Sequence, residues 1–262
     1  MVNAELNSVD CGPVSLTRAS WGQAMEWLGC CLQEREAVHY ACFCEANLLS
    51  CAIDDEKLQG VLARADAVFA DGVVAMKLAK VHGHLLPERI PGPTFLLKAC
   101  EAGLKAGWLH YFYGGDEGVA DKLAEILKVR FSGLQVSGTY SPPFREIGDL
   151  AEDDDVLHRI EDAGTDILWV GLGGPKQEFW MAEHQKRLSV PIMLGVGAAF
   201  DFHSGRRRWA PRWIRAIGLE WLFRMLTGGR ATFVRNVRCL RRVALLLLKS
   251  QLNARFRLTF WR

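Results

Sequence analysis

The sequence predicts a parallel α/β sheet with helices on both faces, followed by a basic amphipathic C-terminal helical appendage. Three observations predict it. Short apolar runs alternate with helical periods from Val38 onward, the pattern of strand–helix units whose sheet is covered on both sides. Glycine-bearing turns follow three of the predicted strands, at the end of a parallel sheet where ligands bind. Acids almost vanish after Gly205: over 206–262 fourteen arginines and Lys249 stand against Glu220 alone, a net charge of +14, while the rest of the chain carries −12.

Taken in order, residues 1–36 show no clear pattern and read as a variable lead-in. Cys42 and Cys44, two apart, would share one face of a strand. Short apolar runs predict strands at 67–70, 108–113, 134–137, 167–171 and 192–196, with helical periods clearest at 119–130 and 177–188. No internal repeat or low-complexity linker interrupts them, so 37–205 reads as one α/β catalytic domain. The appendage, 206–262, reads as two helices. Trp213, Ile217, Trp221 and Met225 recur every four residues, with Arg212, Arg215 and Arg224 among them. After Gly228-Gly229, Val237, Leu240, Ala244 and Leu247 keep the helical period beside Arg235, Arg238 and Arg242.

Composition excludes several classes. A chain of 262 residues with 50% apolar and 24% charged residues and 9 prolines is neither disordered nor collagen-like. No apolar run reaches 18 residues, so a membrane-spanning helix is not expected. The N-terminus carries Glu5 and Asp10 and lacks a basic segment before an apolar core, so it does not read as a signal peptide and a cytosolic placement follows. The 8 cysteines form no C-x-x-C pair and have no histidine at zinc spacing, which fits reduced thiols packed as small hydrophobes. A mildly acidic body with a strongly basic tail points to a polyanionic partner, nucleic acid or an anionic membrane surface. The tail's tryptophans and leucines lie in helix stripes instead of alternating with basic residues for base stacking, which favours the membrane interface and no nucleic acid. The competing reading has these stripes close over the protein's own core.

The turns carry the chemistry. Asp71-Gly72, Gly114-Gly115-Asp116 and the run from Gly171 to Glu178 each follow a predicted strand, and together they favour a nucleotide-type ligand. The phosphate-binding pattern G-x-x-x-x-G-K-[ST] is absent. The dinucleotide pattern fails because Lys176 stands at its sixth position, which disfavours a Rossmann oxidoreductase. Asp153-Asp154-Asp155 contains D-x-D but reads as a helix start, where acids are favoured. No metal and no cofactor are therefore expected, and the negative charge of a diphosphate would fall to backbone amides and arginines.

In order along the chain stand Phe69-Ala70-Asp71-Gly72, Glu88-Arg89-Ile90-Pro91-Gly92, Tyr113-Gly114-Gly115, and Gly171-Leu172-Gly173-x-Pro175-Lys176-Gln177-Glu178. Then come Gly195-Val196-Gly197-x-x-Phe200-Asp201-x-x-x-Gly205, Ala210-Pro211-x-Trp213 and Gly218-Leu219-Glu220-Trp221-Leu222-x-Arg224. Over 38–240 this series resembles the WecG/TagA/CpsF glycosyltransferases, family 26 of the sugar transferases. The resemblance implies a Rossmann-like fold and an inverting transfer from a UDP-sugar to a polyprenyl-diphosphate-linked sugar, building surface or exopolysaccharide. The implied donors carry N-acetylmannosamine, N-acetylmannosaminuronic acid or glucose. The enzyme would sit peripherally on the inner face of the cytoplasmic membrane, its basic appendage completing the site; a homo-oligomer stays open. The rival class is a non-catalytic nucleotide-sugar or nucleic-acid-binding protein.

Residue by residue, the resemblance makes Asp71 the base that takes the acceptor hydroxyl proton. Arg89 serves the phosphates, and Gln177 bonds sugar or phosphate through either amide atom. Gly72, Gly114, Gly115, Gly171, Gly173, Lys176, Arg212, Arg215 and Arg224 are the implied substrate contacts. Asp201 and Glu220 read as structural partners of nearby arginines. Four positions depart from the family pattern. Phe43 and Glu45 stand where T-x-N is usual, Thr94 where an acid follows R-x-x-G, and Trp209 where R-A-P would give arginine.

Overall fold

The computed structural model describes residues 6–259 apart from 148 and 151, with no side-chain placement at 231 and 253–259. Glu5 of the leader reading and Arg262 of the charge count lie outside the described residues. The elements are β1 (Ser8–Asp10), β2 (Ser15–Thr17), α1 (Trp21–Glu34), β3 (His39–Cys44), α2 (Ala46–Ala52), α3 (Glu56–Arg64), β4 (Ala67–Ala70), α4 (Val73–Val81), α5 (Gly92–Ala106) and β5 (Leu109–Gly114). They continue as α6 (Val119–Arg130), β6 (Gln135–Tyr140), α7 (Asp154–Asp162), β7 (Ile167–Gly171), α8 (Lys176–His184), β8 (Ile192–Gly195) and α9 (Ala199–His203). The tail forms α10 (Arg212–Ala216), α11 (Glu220–Thr227) and α12 (Gly229–Thr259).

Among the described residues, β3 to β8 form one sheet in the order β4-β3-β8-β7-β5-β6, every pair parallel. Cys42 and Cys44 do share a face, with Tyr40, Leu168 and Met193, and α2, α3, α4, α7, α8 and α12 cover it. Phe43, Phe69, Trp169 and Leu194 point the other way, under α1, α5, α6 and α9. Cys11, Cys31, Cys42, Cys44, Cys100 and Cys239 are buried, as packed thiols should be. The register brings the C-terminal ends of five strands into one row, Ala70 beside Cys44, Cys42 beside Gly195, Val170 beside Gly195 and Gly171 beside Gly114. The two crossover directions part beside β3 and β8, which opens the crevice where ligands bind in such sheets.

The strands at 67–70 and 167–171 and the helix at 119–130 stand where the sequence predicts them. The strand predicted to stop at Ser137 runs on to Tyr140, because Gly138 is a contact and not a breaker. A Cβ there would lie 2.4 Å from the Tyr111 ring.

The segment without legible pattern, before residue 37, holds β1, β2 and α1. The α1 N-terminus is closed by a capping box between Ser20 and Gln23, and Trp27 and Leu28 enter the core. The β1–β2 hairpin lies against β4, where the Val68 amide donates to Thr17 Oγ1 at 2.8 Å, covering the sheet's edge. Three-residue strands and a helix with no acid in its first turn leave too weak a trace to read.

In the tail, Gly218 at φ +75° breaks the four-residue recurrence into α10 and α11. The reading in which the tail's stripes close over the protein's own core holds in part. Cys239 and Val243 of α12 are buried against α2 and α4, with Arg242 paired to Asp54 at 2.5 Å and His82 bonded to Ser250 at 3.2 Å. A second set stays exposed, including Trp213 at 67%, Leu226 at 74%, Ile217, Phe233, Val234 and Val237. No described helix is long and apolar enough to cross a membrane. Asp154 and Asp155 open α7 with Asp153 at its N-cap, the helix start read from the D-x-D run.

Candidate active site

Asp71 leaves the sheet directly after β4. Its amide and that of Gly72 donate to the Cys44 carbonyl at 3.1 and 3.4 Å, which pins the turn to the end of β3. Gly72 then serves as the N-cap of α4. The following segment returns across the same end, where the Ile90 amide donates to the Ala70 carbonyl at 2.9 Å. That places Arg89 beside Asp71. Glu88, next to it, receives the Trp21 amide at 2.6 Å and so ties the segment to the start of α1.

The tail closes over this corner. Arg89 Nη2 donates to the Arg215 carbonyl at 2.9 Å. Gly218 lies so close to the start of α4 that a Cβ on it would stand 2.4 Å from Val73 Cγ1. This contact brings Glu220 and Arg224 of α11 to Asp71. Burial, reinforced by Glu220 and Glu45, lifts the Asp71 carboxyl to about 7 against the opposing pull of Arg224 and Arg89. A carboxylate balanced near neutrality can accept a proton at working pH and release it again.

Arg215 and Arg224 do not stand free. The Arg215 guanidinium lies 3.6 Å over the Trp209 ring and its Nε donates to the Ala210 carbonyl at 2.9 Å. Trp209 stacks in turn on Phe202, so the aromatic that replaces the family's arginine is a platform for Arg215. Arg224 lies 5.1 Å over Phe202. Burial, with Arg212 and Arg89 nearby, lowers the Arg215 guanidinium's affinity for its proton, although Glu220 offsets part of this. Arg212 opens α10 and is exposed.

The second half of the site lies at the ends of β7 and β8. Gln177 is 4% exposed in the first turn of α8, and its Nε2 donates to the Gly195 carbonyl at 2.7 Å and to Glu178 Oε1 at 2.9 Å. Glu178 is fully buried, and burial lifts it to about 7 despite the hydrogen bond from Gln177. Glu45, at the N-cap of α2 with its side chain on the Leu48 amide, raises both Asp71 and Glu178 and so links the two halves.

The glycines divide by role. A Cβ on Gly114 would meet the Gly171 backbone at 2.6 Å, one on Gly171 would meet Phe200 at 2.6 Å, and one on Gly115 would meet Val119 at 2.8 Å. Packing inside the protein thus accounts for all three. Gly173 has open space in that direction. Lys176 turns away from the Asp71 corner, its ammonium on the Arg145 carbonyl at 2.6 Å and 3.5 Å over Phe144. Asp201 pairs with Arg206 and with Arg207 at 3.0 Å, the structural part expected of it. Thr94 lies in the first turn of α5, and Phe43 packs against Gly92 and Phe95 and brings no polar group to the Asp71 corner.

The fold therefore gathers Asp71, Arg89, Arg215, Arg224 and Glu220 at one corner and Gln177 with Gly173 at the other. Glu178 and Glu45 join them without having been singled out as site groups from sequence. The P-K-Q-E run contained Glu178, but only its burial marks it. Among the described residues no group of three or more His, Cys, Asp or Glu side chains is arranged to hold a metal ion.

Known proteins are similar to this chain in sequence. A Bacillus spizizenii protein named N-acetylglucosaminyldiphosphoundecaprenol N-acetyl-beta-D-mannosaminyltransferase is 28% identical over 176 residues, 67% of this chain and 66% of its own. Proteins of the same name from Staphylococcus aureus strain MRSA252 and Bacillus subtilis strain 168 are 26% and 24% identical. The first of these covers 63% of each chain, the second 67% of this chain and 66% of its own. The match thus spans just under two thirds of the length of these relatives. The Glycosyl transferase WecG/TagA/CpsF family matches residues 9–257, so that nearly all of the hairpin, α1 and most of α12 fall within it, and the chain belongs to that family.

Proposed function

We propose that this chain is an inverting glycosyltransferase that moves a sugar from a UDP-sugar to a polyprenyl-diphosphate-linked sugar in the making of a surface polysaccharide. The names of the relatives favour N-acetylmannosamine as the sugar moved and a lipid-linked N-acetylglucosamine as its acceptor. One observation carries the reading: the turn holding Asp71 is pinned to the Cys44 carbonyl where β3 and β4 end, and the Arg89 segment, tied to the Ala70 and Arg215 carbonyls, lies beside it. In this reading Asp71 takes the proton of the acceptor hydroxyl as its oxygen bonds to the anomeric carbon. The bond to UDP breaks from the opposite face, which inverts the centre, and UDP leaves with the electron pair. Arg89 and Arg224, with Arg212 and Arg215 beside them, offset the charge growing on the diphosphate. In this reading Gly72, the N-cap of α4, and Gly173, with open space on its Cβ side, leave room for the substrate.

The tail supplies the other half of the proposal. Residues 37–205 act as the transferring unit and 206–262 as an appendage lying on the inner face of the cytoplasmic membrane. Its exposed Trp213, Ile217, Leu226 and Phe233 would enter the interface while Arg230, Arg235, Arg238 and Arg241 meet anionic headgroups.

Asp71→Asn tests the chemistry. The amide keeps the shape and cannot take the proton, so kcat should fall by roughly 10²–10⁴-fold while UDP affinity by calorimetry stays near wild type. Near-normal turnover would remove Asp71 from the mechanism. The same assay with EDTA should retain activity; complete loss, restored by Mg²⁺ or Mn²⁺, would assign the diphosphate's charge to a metal.

A further inference from the structure

Gln177 Oε1 and Glu178 Oε2 are buried and accept no hydrogen bond from the described residues. Both hydrogens of Gln177 Nε2 are already committed, one to the Gly195 carbonyl and one to Glu178 Oε1. A primary amide has no third hydrogen to give. Gln177 Oε1 lies against Gly197, where a Cβ would come within 3.2 Å, and the Gly173 Cα borders the same point. The oxygen is thus aimed between two residues without side chains. Turning the amide over would set Oε1 against the Gly195 carbonyl, an acceptor with no hydrogen to give, so that carbonyl fixes its sense. The Gly195 carbonyl alone holds the nitrogen at one point and lets the group pivot. The second point comes from Glu178.

We infer that Glu178 is a positioning residue that makes Gln177 a pure hydrogen-bond acceptor, so that Gln177 meets a hydroxyl or acetamido N–H of a sugar and not a phosphate oxygen. The inference rests on the transfer reading for what Gln177 meets, and on the amide geometry for how. It narrows the two options that the sequence left to Gln177. A phosphate oxygen needs a donor, and none is left to offer. A buried carbonyl oxygen needs a donor, and a sugar carries several.

The test compares Gln177→Met, Glu178→Met, Glu178→Gln and the double Met variant, using transfer from UDP-N-acetylmannosamine to polyprenyl-diphosphate N-acetylglucosamine, and UDP alone as the binding probe. Gln177→Met and Glu178→Met should each lower kcat/KM on the order of ten- to hundredfold, the range for leaving a buried polar group unpaired. UDP affinity should not move in either. Glu178→Gln, which still offers an oxygen to Gln177, should restore most of the loss. The double variant should lose no more than Gln177→Met, since Glu178 acts through that side chain. Additive losses, or a fall in UDP affinity with Gln177→Met, would overturn the proposal.

A second measurement needs neither turnover nor a variant. The Gln177 side-chain amide protons should exchange slowly with solvent in the ¹⁵N spectrum of the wild type, and rapid exchange would equally overturn it. A wild type that transfers no sugar yet protects those protons would sink the transferase reading and leave the positioning role standing.

Discussion

Asp71 and Glu178 are both lifted to about 7 by burial, yet one is backed by arginines and the other by an amide. The difference decides what each can do. Asp71 opens toward the tail's arginines and can exchange a proton, whereas Glu178 lies behind Gln177 and holds it. If Asp71 is the base, kcat/KM should fall about tenfold per pH unit below 7, and more steeply if Glu178 must be ionised as well. Stability should move the other way. Each carboxyl binds its proton more tightly folded than unfolded, so its contribution is fully present below about 4 and is lost as pH rises through 7. Thermal unfolding from pH 4 to 8 should therefore show Asp71→Asn gaining on wild type as pH rises, the opposite of its effect on turnover. No gain at pH 8 would mean that the Asp71 carboxylate is not held at a cost. At this scale the sequence was legible in position: the motif residues Asp71, Arg89 and Gln177 all stand at the strand ends where such sheets bind ligands. Glu45 and Glu178 were not legible as site groups, because their part depends on desolvation, which the packing of α2 and α8 creates. Trp209 read as a lost arginine; only the stacked Phe202 and the overlying Arg215 show what replaced it.

The joint between α10 and α11 turns on one glycine. Gly218 combines a positive φ with contact to Val73, so no other residue fits without moving the tail from α4. Gly218→Ala should withdraw Glu220 and Arg224 from Asp71, lower transfer and shift its pH midpoint. Val73→Ala in the same chain removes the colliding methyl and should recover part of the loss. The remainder reflects an L residue forced into the left-handed region, about 1–2 kcal/mol. Equal activity of Gly218→Ala and wild type would show that tail docking does not set the site. Periodicity alone could not find this joint, since Trp213, Ile217, Trp221 and Met225 keep their four-residue spacing straight through it. The strand–helix units from β4 to β8 were legible because each buries a face on the sheet, and burial is what apolar spacing records.

Over the whole molecule, charge and packing assign the tail two faces at once. A chain ending near Gly205 reads from sequence as able to fold, but the buried Cys239 and Val243 give α12 a share of the core over α2 and α4. Truncation would uncover that surface and confound stability with membrane binding. Replacing Arg230, Arg235, Arg238 and Arg241 by glutamine separates the two, since all four are exposed. Cosedimentation with anionic vesicles should weaken strongly in that variant and with rising salt, binding to neutral vesicles should be weak throughout, and the melting temperature should hold. Unchanged binding to anionic vesicles would reduce the tail to a cover for the core. The hydrogen bond between the Trp21 amide and Glu88 reaches furthest. It joins the opening helix to the very segment that carries Arg89, and Arg89 grips the tail through the Arg215 carbonyl. Beginning, middle and end of the chain are thereby one mechanical circuit. Heat should melt it in a single cooperative step, with no early transition belonging to α1, and a cut between α1 and β3 should be felt as loosened catalysis before it is felt as lost fold.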